Sequence, residues 1–127
     1  MKVRELYTPN VLTAHPGEDL SVAASRMQFH ETGALAVYDK GILAGIITER
    51  DVLRAVGEGR VPEATTVAEY MSPDPVTVTP EIEAGQAAAL MLSLGARHLP
   101  VMEGGELVGM LSARDLLEDE AAKALVG

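Results

Sequence analysis

The 127-residue chain has no cysteine and no tryptophan, one phenylalanine and three tyrosines. Without cysteine there is no disulfide framework and no thiolate nucleophile. With so few rings, the core must be built from Val, Leu, Ile, Ala and Met. No apolar run approaches the roughly 20 residues a membrane-spanning helix needs, and the opening MKVRELYTPN lacks the apolar stretch of a secretory signal. Cytoplasmic localisation, with no membrane partner, is the expectation. Basic residues are also few: ten Lys and Arg against nineteen Asp and Glu leave a net charge of −9. Residues 1–64 carry seven bases against nine acids, and residues 65–127 carry three against ten. Such a surface repels a phosphate backbone, so no nucleic-acid partner is expected. His15, His30 and His98 have no metal-ligand spacing, and no metal site is expected. There is no G-x-S-x-G phrase, no phosphate-binding P-loop and no acid–base pair placed for catalysis. Neither an enzyme nor a catalytic cofactor is expected.

What the chain does have is a repeat. GIITERD begins at Gly45 and GMLSARD begins at Gly109, 64 positions later. At that offset the chain aligns with itself without a gap from Val3/Val67 to Leu53/Leu117. Identical pairs include Pro9/Pro73, Thr13/Thr77, Pro16/Pro80, Ala23/Ala87, Met27/Met91, Leu35/Leu99, Val37/Val101, Gly41/Gly105 and Asp51/Asp115. Two copies are too few for a solenoid.

Each copy reads as β-α-β-β-α. A first strand is expected at VLTAH and PVTVT, closed by Pro16 and Pro80. Leu20, Ala23, Ala24 and Met27 form one helical stripe, repeated by Ala84, Ala87, Ala88 and Met91. ALAVYD and ILAGIIT form a hairpin across Lys40-Gly41, as HLPVME and ELVGMLS do across Gly104-Gly105. A last helix runs from Glu49, with Val52, Leu53 and Val56 on its apolar side, and from Ala113, with Leu116 and Leu117. EDEAAKALVG is expected to continue that second helix. The fold class is α/β, of the α+β kind, with two β-α-β-β-α repeats packed about a pseudo-twofold axis. The domains are 1–57, a linker at 58–66, and 67–127.

Thr48-x-x-Asp51 and Ser112-x-x-Asp115 stand at the starts of the last helices. One reading is capping alone, with the hydroxyl on the N3 amide and the acid favoured by the helix dipole. The other is a ligand site. Each phrase follows a strand directly, so the helix mouth lies at the strand's carboxyl end, where ligands tend to bind. Asp is shorter than Glu and is expected to reach back to its own N-cap poorly. Its carboxylate would then be open to the two hydroxyls of a vicinal diol. Arg50 and Arg114 add a phosphate-capable fork to each mouth.

The tandem units, the HLPV strand and the two G-h-h-T/S-x-x-D phrases resemble a pair of cystathionine-β-synthase (CBS) domains, the Bateman module. The resemblance covers nearly the whole chain. It implies regulatory binding of an adenosine-containing ligand, AMP, ADP, ATP or S-adenosylmethionine, in two clefts that each mix both copies. One set would be Ile46, Thr48 and Asp51, with Pro75, Val76, Ala96 and His98. The other would be Met110, Ser112 and Asp115, with Val11, Leu12, Thr32 and Ala34. Asp would accept the ribose hydroxyls, and aliphatic side chains and backbone would grip the adenine. Arg97 and His98 would strengthen phosphate binding in the Asp51 set, since Gly33 and Ala34 replace them in the other. A homodimer and an unidentified effector protein are the implied partners. The alternative is a ligand-independent dimerisation or interaction module with vestigial clefts.

Overall fold

A computed structural model describes residues 1–118. In chain order its strands and helices are β1 (Thr8–Pro9), β2 (Thr13–Ala14), α1 (Leu20–Phe29), β3 (Ala34–Asp39), β4 (Ile42–Thr48), α2 (Glu49–Gly57), α3 (Val67–Tyr70), β5 (Ser72–Pro73), α4 (Ala84–Leu94), β6 (His98–Glu103) and β7 (Glu106–Ser112). Single 3-10 turns lie at Val3–Glu5, Pro62–Ala64 and Asp115–Glu118. The fold is mixed α/β. None of the described helices is long and apolar enough to cross a membrane.

The chain forms two compact units that do not coincide with the sequence repeats. One is Leu12–Pro75. The other joins Met1–Val11 to the chain from Val76 onward. The leading arm of each repeat is thus built into the unit that holds the opposite hairpin.

In the Leu12–Pro75 unit the sheet runs β2-β3-β4-β5, with β2 parallel to β3 and the other pairs antiparallel. Its core is Leu20, Ala23 and Met27 of α1 against Leu35, Val37 and Ile47 of the hairpin, with Ala55, Val67 and Tyr70. In the other unit the sheet runs β1-β7-β6, with both pairs antiparallel. Ala84, Ala87 and Met91 of α4 pack there on Leu99, Val101 and Leu111, joined by Val3 and Leu6 of the arm. Both helical stripes therefore face their own sheet, as their spacing requires.

The arms cross the sheets at two glycines. Pro73 pairs with Gly45, and Pro9 with Gly109. A Cβ on Gly45 would lie 2.7 Å from the Ser72 carbonyl oxygen, and one on Gly109 would lie 2.5 Å from that of Thr8. Arg4 fastens its arm by bonding Glu81 and, at 2.9 Å, Glu103. The segment read as a linker is also built in. Thr65 is fully buried, with its hydroxyl donating to the Val61 carbonyl at 2.7 Å.

Several expectations are corrected. VLTAH yields only Thr13–Ala14, and PVTVT yields a single parallel bridge at Val78–Val101. Pro75 and Pro80 have no N–H to give a ladder, and the Pro80 carbonyl instead accepts the Arg4 amide. On α2 the buried residue is Ala55; Leu53 and Val56 are exposed and Val52 is half-buried. The helix expected from Ala113 is a 3-10 turn at Asp115–Glu118 within the described residues, with Leu117 exposed. The continuation expected over EDEAAKALVG lies, past Glu118, outside them.

Candidate functional site

β4 runs straight into α2, and the junction is Thr48 to Asp51. Thr48 has extended torsions and is the N-cap. Its hydroxyl oxygen accepts from the Asp51 amide at 3.4 Å. Asp51 Oδ2 accepts from the Thr48 amide at 2.8 Å and from the Thr48 hydroxyl at 3.0 Å. This is a full capping box, and it corrects the expectation that Asp reaches its N-cap poorly. The Thr48 amide lies close enough to the first turn for the shorter acid to span the gap. The same geometry recurs after β7. Asp115 Oδ2 accepts from the Ser112 amide at 2.8 Å, and the Ser112 hydroxyl oxygen accepts from the Asp115 amide at 3.1 Å.

Capping consumes one oxygen of each carboxylate. Among the described residues, Oδ1 of neither accepts a hydrogen bond. The Oδ1 of Asp51 faces Arg54, whose Nη2 stands 3.6 Å away. That is ion-pair range but too long for a hydrogen bond. Asp51 is half-buried, with its side chain 15% exposed, and Asp115 is also half-buried. Arg50 and Arg114 are exposed beside them.

Backbone pairing places several of the remaining candidates beside the capped acids. In one unit Ala34 is the ladder partner of Thr48, and the Gly33 carbonyl accepts the Glu49 amide at 3.0 Å. Ile46 pairs with Ala36, whose amide donates to the Leu12 carbonyl. Thr32 is half-buried next to them, its hydroxyl donating to the Ala34 carbonyl at 3.3 Å. Pro75 ends this unit, after Asp74, whose amide donates to the Ala44 carbonyl. In the other unit His98 is the ladder partner of Ser112, and the Arg97 carbonyl accepts the Ala113 amide at 2.8 Å. Met110 pairs with Pro100. Ala96 is half-buried and Val76 is exposed. Val11 closes the arm of this unit. Arg97 and His98 thus share a unit with Asp115, and Asp51 belongs to the other. Arg54 was missed by sequence reasoning; the only signal was its i+3 spacing from Asp51. Among the described residues no group of three acidic or histidine side chains could hold a metal ion.

The CBS domain model matches this sequence twice, at residues 3–58 and 67–121. The chain belongs to the CBS domain family. The CBS domain-containing protein YhcV of Bacillus subtilis is 33% identical over 126 residues, which are 98% of this chain and 89% of YhcV. The solved CBS-domain protein ATU1752 of Agrobacterium tumefaciens is 29% identical, with a TM-score of 0.87 over 93% of this chain and 98% of that one. CBSX2, solved in complex with AMP, is 24% identical and shares the fold, with a TM-score of 0.79 over 99% of this chain and 98% of its own. The tandem CBS pair spans nearly the whole chain, and it accounts for two matched sheets each ending in a capped acid.

Proposed function

We propose that this CBS pair is a ligand-sensing module that binds an adenosine-containing nucleotide and signals to a partner by a change of conformation. The ligands are AMP, ADP, ATP or S-adenosylmethionine, held by the two residue sets built on Asp51 and Asp115. The observation that carries the reading is the state of the two carboxylates. Main chain takes Oδ2 of each and leaves Oδ1 without a hydrogen bond. A carboxylate so held keeps one oxygen able to accept from a sugar hydroxyl. Supporting it, the fold shared with CBSX2 is one that holds AMP in that protein. A core with little aromatic content also suits adenine gripped by Ile46, Met110 and backbone, both side chains being nearly buried.

A thermal-shift titration of the purified chain tests the reading. Ligand at 100 times its dissociation constant adds about 2.7 kcal/mol, which raises the midpoint by several degrees in a domain of this size. No shift with any of the four ligands overturns it. The second reading, a ligand-independent dimerisation module, draws on exposed apolar side chains, chiefly Phe29 at 82% and Leu92 at 86%. A concentration-dependent homodimer in native mass spectrometry, without nucleotide and without any thermal shift, would favour it.

A further inference from the structure

The surroundings of Asp51 contain a device whose residues are not repeated at the matching positions of the second copy. The Arg54 guanidinium is fixed from several directions. It lies 4.7 Å from the centroid of the Tyr70 ring, donates through Nη2 to the Tyr70 carbonyl at 3.3 Å, and stands 3.8 Å from Glu58 Oε2. Tyr70 is itself anchored: it is nearly fully buried and its hydroxyl donates to Glu58 at 2.5 Å. Arg60 approaches the same ring at 5.6 Å and bonds Glu69 at 2.5 Å. This assembly holds a positive charge 3.6 Å from the carboxylate oxygen that capping leaves open. At the corresponding positions of the other repeat stand Glu118 in place of Arg54 and Leu6 in place of Tyr70.

We infer that Arg54 is a positioning residue for the Asp51 carboxylate, fixing the plane in which it meets the hydroxyls of a sugar diol. This rests on the proposed nucleotide-binding role. Capping alone fixes one oxygen and leaves the carboxyl group free to turn about that bond. A guanidinium beside the other oxygen removes that freedom. At 3.6 Å it occupies no hydrogen-bonding position, so the lone pairs of Oδ1 stay open. The loss of motion is met in folding rather than in binding, which is preorganisation. Asp51 is therefore the diol acceptor set before ligand arrives.

The test is a cycle between protein and ligand in the full chain carrying Asp115→Asn, so that the Asp51 set reports alone. Binding of AMP and of 2′,3′-dideoxy-AMP is measured by calorimetry with Arg54 intact, with Arg54→Ala and with Arg54→Lys. Arg54→Ala should weaken AMP by about three- to tenfold, the cost of one side-chain order now met on binding. It should leave the dideoxy analogue unchanged, and Arg54→Lys should recover part of the loss. Tyr70→Leu, a residue the matching position already carries as Leu6, should reproduce part of the effect, since it removes the ring beneath Arg54 and keeps the carbonyl. Equal weakening of both ligands, or of neither, overturns the positioning role while leaving nucleotide binding intact. Absence of binding by AMP, ADP, ATP and S-adenosylmethionine alike in the unsubstituted chain overturns the nucleotide reading itself.

Discussion

At the scale of single residues, Asp51 serves two masters, and substitutions can separate them. Asp51→Ala removes the capping box and the charge together, so about 1 kcal/mol of stability should go with the ligand. Asp51→Asn keeps an oxygen for the Thr48 amide, now 2.8 Å from Oδ2, and loses only the anion. Made in a parent that already carries Asp115→Asn, the Asn variant should unfold within about 0.5 kcal/mol of that parent in urea and fail to bind nucleotide. Nucleotide affinity equal to the parent's would remove the carboxylate from the site. Gly109 illustrates a different constraint. Its added Cβ would press on the Tyr7 ring and lie 2.5 Å from the Thr8 carbonyl. Backbone cannot yield as a side chain can, so Gly109→Ala should destabilise by roughly 1–3 kcal/mol, measured by the urea midpoint.

At the scale of elements, the two copies use the same torsions with different residues. The first hairpin turns through Lys40 and Gly41 at φ 51° and 78°, and the second through Gly104 and Gly105 at 59° and 82°. A lysine in the left-handed region is strained, because its Cβ crowds the following carbonyl. Lys40→Gly should therefore stabilise by about 0.5–1 kcal/mol, the relief of strain exceeding the added chain entropy. An unchanged or lowered thermal midpoint would contradict this. The short helix α3 is held by its acid. The Thr66 amide donates to Glu69 at 2.7 Å and Arg60 donates to the same side chain. The amide bond first, then Arg60, draws the Glu69 carboxyl down from 4.5 to about 2. Because the folded value is depressed, this contribution is fully present above the unfolded value near 4.5. It is lost as pH falls from there towards about 2. The stability difference between the parent and Glu69→Gln should shrink over that interval; a constant difference would show that the carboxylate's charge contributes nothing.

At the scale of the whole molecule, the arm that opens the chain belongs to the unit that closes it. Val3 is fully buried and Leu6 nearly so, both in the core of α4, β6 and β7. Trimming both to alanine should cost roughly 3–5 kcal/mol. Hydrogen exchange should then accelerate across the β6–β7 ladder and far less across β3–β4, which lies in the other unit. Equal acceleration in both ladders would mean that the units do not open separately.

The sequence by itself determined whatever has a period or a fixed turn. The stripes of α1 and α4, both hairpins and their residue limits follow from spacing 3.6, spacing 2 and the Gly turns, because local sterics decide them. The two capped acids were legible for the same reason, lying within one turn of a strand end. The exchanged arms had no such signal: Val3, Leu6 and Tyr7, or Val67, Tyr70 and Met71, make too short a run to show a period. Each sheet offers a glycine for an arm to cross, so the choice between them is made only by packing in the folded chain. The exposure of Leu53 and Val56 was likewise decided elsewhere, since the small Ala55 is what lets α2 approach its core. The surroundings of Asp51 Oδ1 were set by Tyr70, sixteen residues beyond Arg54. Only the packed chain brings that ring beneath the guanidinium, because a contact so distant in sequence leaves no local pattern to read.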